Sequence, residues 1–169
     1  MKLSADYVRS ILDYDKETGN LRWKPRQTRR GLWNIKFAGK IAGTSETDGR
    51  RKIVLKGKPY QHSHVAWVIV TGEWPRHEVD HLDTNPANNK WSNLREATRV
   101  QQLHNRCVMG NSTTGLKGVH KNKHGTTYNA RIRVKGRRLF VGNFPTAEDA
   151  HAAYCIAASK YYGEFARTS

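Results

Sequence analysis

The residues best suited to chemistry begin at position 80, where an acid and a histidine are neighbours. Asp80 and His81 precede a loop rich in Asn and Pro and a short apolar stretch around Leu94. A carboxylate can hold Mg²⁺ or Mn²⁺, and a neutral imidazole can take a proton from water; phosphodiester hydrolysis needs both. Because neighbouring residues of a strand point to opposite faces, we expect Asp80 to bind metal and His81 to face the water.

The elements that would position this pair are predicted in the order strand, loop, strand, helix. Thr98 and Gln101 have the spacing of a capping box, which predicts a helix directly after Thr98. Gln102 and Asn105 lie together on one side of that helix, so a helix ligand is expected there before His104. The opposite side carries an apolar stripe, formed by Val100, Leu103 and Cys107.

Basic side chains are in excess along the whole chain and indicate a polyanionic partner. Thirty Lys and Arg oppose 14 Asp and Glu, for a formal charge of +16, of which residues 1–109 carry +9 and residues 110–169 carry +7. Neutralising phosphates releases counterions, so nucleic acid is the expected partner.

The chain carries no sign of a membrane or secretory protein. No apolar run approaches the roughly 20 residues that span a bilayer, and the N-terminus lacks the apolar stretch of a signal peptide. Cys107 and Cys155 are far apart and are expected to be reduced thiols. A cytoplasmic location is predicted, with no membrane contact and no obligatory protein partner.

Before residue 79 the patterns are weaker. A helix is predicted after Ser4, a strand at 21–23, a hairpin over 53–62 and a short buried helix over 64–70 that ends at Gly72. Residues 22–58 are rich in Lys, Arg and Gly, and we expect irregular strands and loops there.

The run from Asp80 onward resembles the HNH nuclease motif, particularly that of phage-type homing endonucleases. It reads Asp-His-x-Asp, then Asn-Asn, then Asn-Leu-Arg-x-x-Thr. The resemblance implies a ββα-metal core with Asp80 as metal ligand, His81 as general base and Asn93 as the residue that orders the site. It also implies one divalent ion, Mg²⁺ or Mn²⁺, no organic cofactor, and a connecting loop shaped by Asp83, Asn85 and Asn89.

One position departs from the family pattern. The family's helix ligand, usually Asn or His, falls on Gln102, whose longer side chain places its amide oxygen differently and loses more rotamer entropy on binding. Asn105, one turn further on, is the alternative ligand. The competing interpretation is therefore a catalytically inactive DNA-binding or regulatory protein; an RNA-directed protein is a weaker third interpretation, since few aromatic residues cluster on the expected face.

The C-terminal third has the pattern of three strands followed by a helix. Residues 128–135 alternate apolar and basic side chains, Gly136 makes a turn, residues 138–141 continue the alternation and residues 116–121 supply a third strand. Thr146 caps a helix with acids in its first turn. The helix residues expected to face the sheet are Ala150, Ala153, Tyr154, Ala157 and Tyr161.

This segment resembles the Apetala-2, or ethylene-response-factor, class of DNA-binding domain over almost its full length. The resemblance rests on Lys-Gly-Val-His at 117–120, Ala-Arg-Ile-Arg at 130–133 and Leu-Phe-Val-Gly-Asn-Phe at 139–144. It implies a basic sheet face that contacts double-stranded DNA through Lys117, His120, Arg131, Arg133, Arg138 and Phe140. Because Phe140 and His120 stand where the family usually has Trp and Arg, the target sequence does not carry over.

The sequence thus predicts an α+β chain with a nuclease core followed by a small three-stranded antiparallel sheet packed on one helix. The predicted limits are residues 1–106 for the nuclease domain with its basic N-terminal strands, 107–115 for a linker and 116–169 for the Apetala-2-like domain. The predicted activity is site-selective, metal-dependent DNA cleavage of the homing type, by nicking or by cutting both strands.

Overall fold

The computed structural model describes residues 2–27, 31–104, 112–123 and 125–167. The chain divides into two compact units, Met1–Thr98 and Arg99–Ser169, and each contains helices and small antiparallel sheets, in agreement with the predicted α+β class. Asn105 and residues 107–111 of the expected linker lie outside the described residues, so the predicted domain limits stay a prediction.

The first unit is a set of short strands around two packed helices. Its elements are α1 (Ala5–Ile11), β1 (Leu12–Tyr14), β2 (Leu21–Trp23), α2 (Leu32–Phe37), β3 (Thr44–Ser45), β4 (Arg51–Leu55), β5 (Lys58–Gln61), α3 (His62–Thr71), β6 (Glu78–His81), a 3₁₀ turn (Trp91–Asn93) and β7 (Leu94–Ala97). β1 pairs with β2, β4 lies between β3 and β5, and β6 pairs with β7, all antiparallel.

The core of this unit lies between α1, α3 and the β4–β5 hairpin. The Ser4 hydroxyl accepts the Tyr7 N–H at 3.3 Å and starts α1, while Gly72, with φ +86°, ends α3 as the sequence predicts. The buried side chains include Val8, Leu12, Leu21, Ile53, Val65 and Val68.

The expectation of only strands and loops over residues 22–58 is wrong at α2. This helix of six residues buries none of them completely, so it lacks the apolar stripe by which longer helices are recognised. It is held instead by the Asn34 amide, which accepts the Arg26 N–H at 2.8 Å and donates to the Arg26 carbonyl at 2.7 Å.

The second unit is a three-stranded antiparallel sheet covered on one face by a long helix. Its elements are α4 (Arg99–His104), β8 (Val119–Lys121), β9 (Tyr128–Val134), β10 (Arg137–Phe144), α5 (Ala147–Tyr162) and a 3₁₀ turn (Gly163–Phe165), with β9 in the middle of the sheet. Thr146 caps α5 by accepting the Asp149 N–H at 3.1 Å.

The side chains between sheet and helix are close to those predicted, with one correction. Ala150, Tyr154 and Ala157 are buried, but Tyr161 is exposed and Ala158 is buried in its place. Gly118, with φ +75°, lies so close to α5 that a Cβ there would come within 2.0 Å of the Tyr154 ring. None of the helices in the described part of the chain has both the length and the apolarity that a bilayer crossing requires.

Candidate active site

The β6–β7 hairpin positions the acid and the histidine singled out by the sequence. Asp80 lies opposite Arg95 and His81 lies opposite Leu94, at the end of β6 where the chain enters the Asn-rich loop. Val79 and Leu94 are buried against Ala66 of α3, which anchors the hairpin to the first unit. The pair therefore lies on a fixed strand end and not on a free loop.

Asn93 closes the loop between the two strands. Its buried side chain accepts the Asp83 N–H at 3.0 Å and donates to Asp83 Oδ1 at 2.9 Å and to the Asn88 carbonyl at 2.7 Å. One amide thus holds the loop at both ends, and Thr84 turns with a left-handed φ of +64° between them. The structure gives Asn93 the geometry of an ordering residue.

Asp83 is held as a carboxylate within this loop. Partial burial raises its pKa, but hydrogen bonds from the Asn88 amide, the Asn85 N–H and the Asn93 amide lower it, and the net shift is downward. The Asn88 amide donates to Asp83 Oδ2 at 2.7 Å and the Asn85 N–H to Oδ1 at 2.9 Å. Asp83 is therefore a constant hydrogen-bond acceptor for the loop at neutral pH.

Asn89 fixes the orientation of the His81 ring. Its Nδ2 donates to the carbonyls of Pro86 and Ala87, at 3.5 and 3.1 Å, so its Oδ1 is the atom that faces His81 Nε2, 3.3 Å away. An amide oxygen only accepts, so Nε2 carries the proton and the lone pair of the neutral ring is on Nδ1. In this tautomer Nδ1 is the hydrogen-bond acceptor of the ring.

Asp80 is ion-paired across the hairpin. Arg95 donates from Nε and Nη2 to Asp80 Oδ2, at 3.1 and 3.0 Å, and both side chains are largely shielded from water. The two hydrogen bonds from the guanidinium fix the direction of the carboxylate. A cation that binds this carboxylate therefore meets a preoriented ligand next to a fixed positive charge.

The donors at the hairpin fit a hard cation better than zinc. Within residues 2–27, 31–104, 112–123 and 125–167, no three His, Cys, Asp or Glu side chains are grouped closely enough to hold an ion. Mg²⁺ keeps several waters and needs only one or two carboxylates, whereas zinc prefers His and Cys ligands. Asp80 supplies a carboxylate of the kind that Mg²⁺ binds.

The N-terminal turn supports the Asn-rich loop from outside. Tyr14 donates its hydroxyl to the Asn89 carbonyl at 2.6 Å, and the Trp91 N–H donates to the Lys16 carbonyl at 3.0 Å. Gly19, with φ +72°, packs so tightly that a Cβ would come within 2.4 Å of the Asn89 carbonyl carbon. Residues from the start of the chain thus fix the backbone that carries the Asn89 amide.

His62 holds the same turn from α3. Its buried Nε2–H donates to the Gly19 carbonyl at 2.9 Å. Burial and the nearby charge of Arg51 outweigh the opposing hydrogen bond to Gly19 and lower the pKa of His62 to about 4. His62 is therefore neutral at pH 7 and has a structural role.

The expected helix ligand lies in the second unit. Gln102 is half-buried on α4, and Asn105 lies outside the described residues. The predicted apolar stripe of this helix is not its buried face, because Val100 and Leu103 are both exposed. The hairpin brings together Asp80, His81 and Asn93, all in the first unit.

The basic face of the second unit collects four of the six predicted DNA contacts. His120, Arg131, Arg133 and Arg138 line one cavity of about 290 Å³. Burial lowers the pKa of His120, and the charges of Arg131 and Arg138 lower it further, so this imidazole is neutral among arginines at pH 7.

The two other predicted contacts lie elsewhere in the second unit. Phe140 lines a different groove, of about 360 Å³, together with apolar residues of α5. The pairing of β10 with β9 shifts register directly after Phe140, between Phe140 and Gly142. Lys117 precedes β8 in a turn, where its carbonyl is 3.2 Å from His151 Nδ1.

Sequence reasoning assigns no role to Arg95, Tyr14 or Gly19. For Arg95 a signal existed, because pairing the two predicted strands antiparallel can set an Arg opposite Asp80. For Tyr14 and Gly19 no local signal exists, since their contacts join parts of the chain about 70 residues apart.

The β6–β7 hairpin lies in a segment that is similar to known proteins. Residues 60–104 match the HNH endonuclease family. An uncharacterized HNH endonuclease of Acanthamoeba polyphaga mimivirus is 36% identical over 111 residues, which cover 65% of this chain and 57% of the relative. Protein 3.8 of Escherichia phage T7 is 28% identical over 112 residues, 64% of this chain and 89% of the relative.

These matches cover only part of this chain and only part of each relative. Slightly more than half of the mimivirus protein's length is aligned, and the family match ends at residue 104. Within that match lie the β6–β7 hairpin, the Asn-rich loop and the start of the following helix. Residues 60–104 are therefore similar to the HNH endonuclease family.

Proposed function

We propose that this chain is a divalent-metal-dependent endonuclease that hydrolyses phosphodiester bonds of double-stranded DNA. The observation that carries the proposal is the β6–β7 hairpin with its loop, in which the Asn89 amide orients the His81 ring and Arg95 orients Asp80. Both act within the segment that matches the HNH endonuclease family.

Each residue of the hairpin has a defined task in this proposal. His81 accepts a proton at Nδ1 from the water that attacks phosphorus, while Nε2–H stays with Asn89. Asn93 keeps the loop closed, so that the ring does not leave this position. In this proposal the hairpin and its loop are the two-stranded part of the ββα-metal core that the resemblance implies.

Asp80 is the proposed metal ligand, with Gln102, or Asn105 in its place, as the second. The ion, Mg²⁺ or Mn²⁺, would neutralise charge on the phosphate and the leaving oxygen when bound. Arg95 holds the Asp80 carboxylate in one direction before the ion arrives. No organic cofactor enters the proposal.

The second unit is proposed to be an Apetala-2-like DNA-reading domain over residues 116–169. Its sheet, covered on one face by α5, carries the cavity lined by His120, Arg131, Arg133 and Arg138 on the other side of β9. A basic three-stranded sheet can enter a major groove and contact both phosphates and base edges. Site-selective cleavage of the homing type would follow from this second contact.

Plasmid cleavage tests the proposal directly. Supercoiled plasmid is expected to be nicked or linearised with Mg²⁺ or Mn²⁺ and left intact with chelator. His81→Ala should lower the rate by about two to four orders of magnitude, the range of general-base catalysis, while DNA affinity persists. His77→Ala is the matched control: His77 is exposed, lies just before the same hairpin and makes its hydrogen bond to Glu96 through its main chain.

Two outcomes would contradict the assignment. Equal cleavage by the His81→Ala protein would refute the general base. Normal DNA binding by a wild-type protein that cleaves with neither ion would instead favour the alternative, a DNA-binding or regulatory protein without catalytic activity.

A further inference from the structure

The short helix α2 has two unlike faces. Trp33, Asn34 and Phe37 face the rest of the first unit, and Leu32, Ile35 and Lys36 share the opposite side by their helical spacing. Leu32 is 64% exposed and Ile35 is 79% exposed. Two aliphatic side chains thus project from one turn of helix into solvent.

The packed face fixes α2 firmly. The Trp33 ring meets the edge of the Trp23 ring at 5.7 Å and lies 5.3 Å from the Phe37 ring. The Arg26 guanidinium lies 3.7 Å from the centre of the Trp33 ring, and its main chain is bound by the Asn34 amide. The aliphatic pair therefore stands on a rigid support, which lowers the entropy cost of inserting it into a partner.

The chain segment that contains α2 carries basic and no acidic side chains. No Asp or Glu occurs from residue 18 to residue 45. Lys36 lies beside Ile35 on the same face, and exposed Lys40 follows the helix. An apolar protein partner would have to bury these charges, whereas a nucleic acid neutralises them.

The size of the aliphatic patch also favours nucleic acid. A stable interface between two copies of a protein buries roughly 800 Å² on each partner. Two side chains on one turn of helix cannot supply that area. They are, however, the size and type of the aliphatic wedges that DNA-bending proteins insert between stacked bases from the minor groove.

We propose that Leu32 and Ile35 form a wedge that enters the minor groove and partly unstacks one base step, while Lys36 and Lys40 contact the flanking phosphates. This inference rests on the proposed function, because it takes DNA as the partner. It adds deformation of the duplex to the binding step. Such wedges bend DNA by roughly 20–90° and unwind it locally.

A topology assay tests the wedge without any cleavage. Relaxed plasmid is saturated with the protein in chelator, treated with a type I topoisomerase that needs no metal, and then deproteinised. Unwinding by the wild-type protein leaves negatively supercoiled topoisomers. The double variant Leu32→Ser, Ile35→Ser, also at saturation, is expected to leave the plasmid relaxed.

The matched control is Ile156→Ser. Ile156 is 74% exposed on α5, in the second unit, so the change removes an equally exposed aliphatic side chain away from α2. This control should give the wild-type topoisomer distribution. Thermal unfolding of each variant checks that the exposed substitutions leave the fold intact, and Ile35→Ser alone gives a milder form of the same test.

Affinity measurements separate the wedge from its charges. Loss of two aliphatic contacts should weaken binding by about tenfold and leave the salt dependence unchanged. Lys36→Ala should instead reduce the salt dependence. A wild-type protein that shifts no topoisomers, or a double variant that shifts them as the wild type does, overturns the wedge. The wedge would also be overturned if sedimentation showed a dimer for the wild-type protein and a monomer for the double variant.

The wedge and the proposed nuclease activity can be refuted independently of each other. The topology assay contains no divalent ion, so it reads binding alone. A topoisomer shift without plasmid cleavage under Mg²⁺ would keep the wedge and reject the enzyme, and cleavage without a shift would do the reverse.

Discussion

Replacing Gly19 by alanine should disturb the site from a distance. Gly19 lies in the N-terminal turn, has φ +72°, and touches the backbone at Asn89 and Lys90. Asn89 in turn orients the His81 ring through its amide. The substitution adds one methyl group and alters none of the proposed catalytic groups.

The expected size of the effect follows from the contact distances. A Cβ at Gly19 would come 2.4 Å from the Asn89 carbonyl carbon, where ordinary contact begins at 3.4 Å. The loop must therefore move by about 1 Å, a displacement that can cost about a hundredfold in rate. The left-handed φ adds roughly 1–2 kcal/mol of strain for any residue with a Cβ.

Gly57→Ala is the matched control for this strain. Gly57 turns between β4 and β5 with φ +75°, and a Cβ there meets nothing within 4 Å. Both variants should lose similar backbone stability in urea unfolding, apart from the clash, but only Gly19→Ala should lose plasmid cleavage under Mg²⁺. Equal cleavage rates for the two variants would show that the turn does not position Asn89.

Three further outcomes are expected. His62 binds a proton more readily in the unfolded chain, so the free energy of unfolding should fall by on the order of 3 kcal/mol as the pH drops from 6.5 to 4. His62→Gln should remove this loss in urea titrations, and an unchanged pH dependence in the variant would contradict the prediction. Arg131→Ala and Arg133→Ala should weaken DNA binding and flatten its salt dependence, measured by fluorescence anisotropy; unchanged slopes would count against this face. Arg95→Gln should destabilise the protein by about 1–3 kcal/mol in chelator. Mg²⁺ should raise the Tm of this variant more than that of the wild type, because the ion then replaces the positive charge that faces Asp80. Equal Tm shifts would argue against metal binding at Asp80.

The sequence predicted the parts of the fold that have local signals. Thr146 and Gly72 mark helix ends by their own chemistry, and the alternation from residue 128 to residue 135 marks a strand with one buried face. The neighbouring Asp80 and His81 came out at the end of a strand as predicted, because this too depends on nearby residues.

What the sequence could not give depends on contacts between distant parts of the chain. α2 is held by an amide bound to the main chain of Arg26 and by stacked aromatic rings, which leave no periodic apolar pattern. The exposed Tyr161 and the buried Ala158 differ from the predicted helix stripe because the sheet is three short strands wide and covers only part of α5. The support of Asn89 by Tyr14 spans 75 residues.

The support of the Asn-rich loop by the N-terminal turn determines which part of the chain can be transferred to another protein. The segment recognisable by family, residues 60–104, leaves behind the hydroxyl of Tyr14, the carbonyl of Lys16 and the close packing of Gly19. A gene fusion that begins at residue 60 would transplant the reactive side chains without their scaffold. The smallest transferable piece therefore starts before β1.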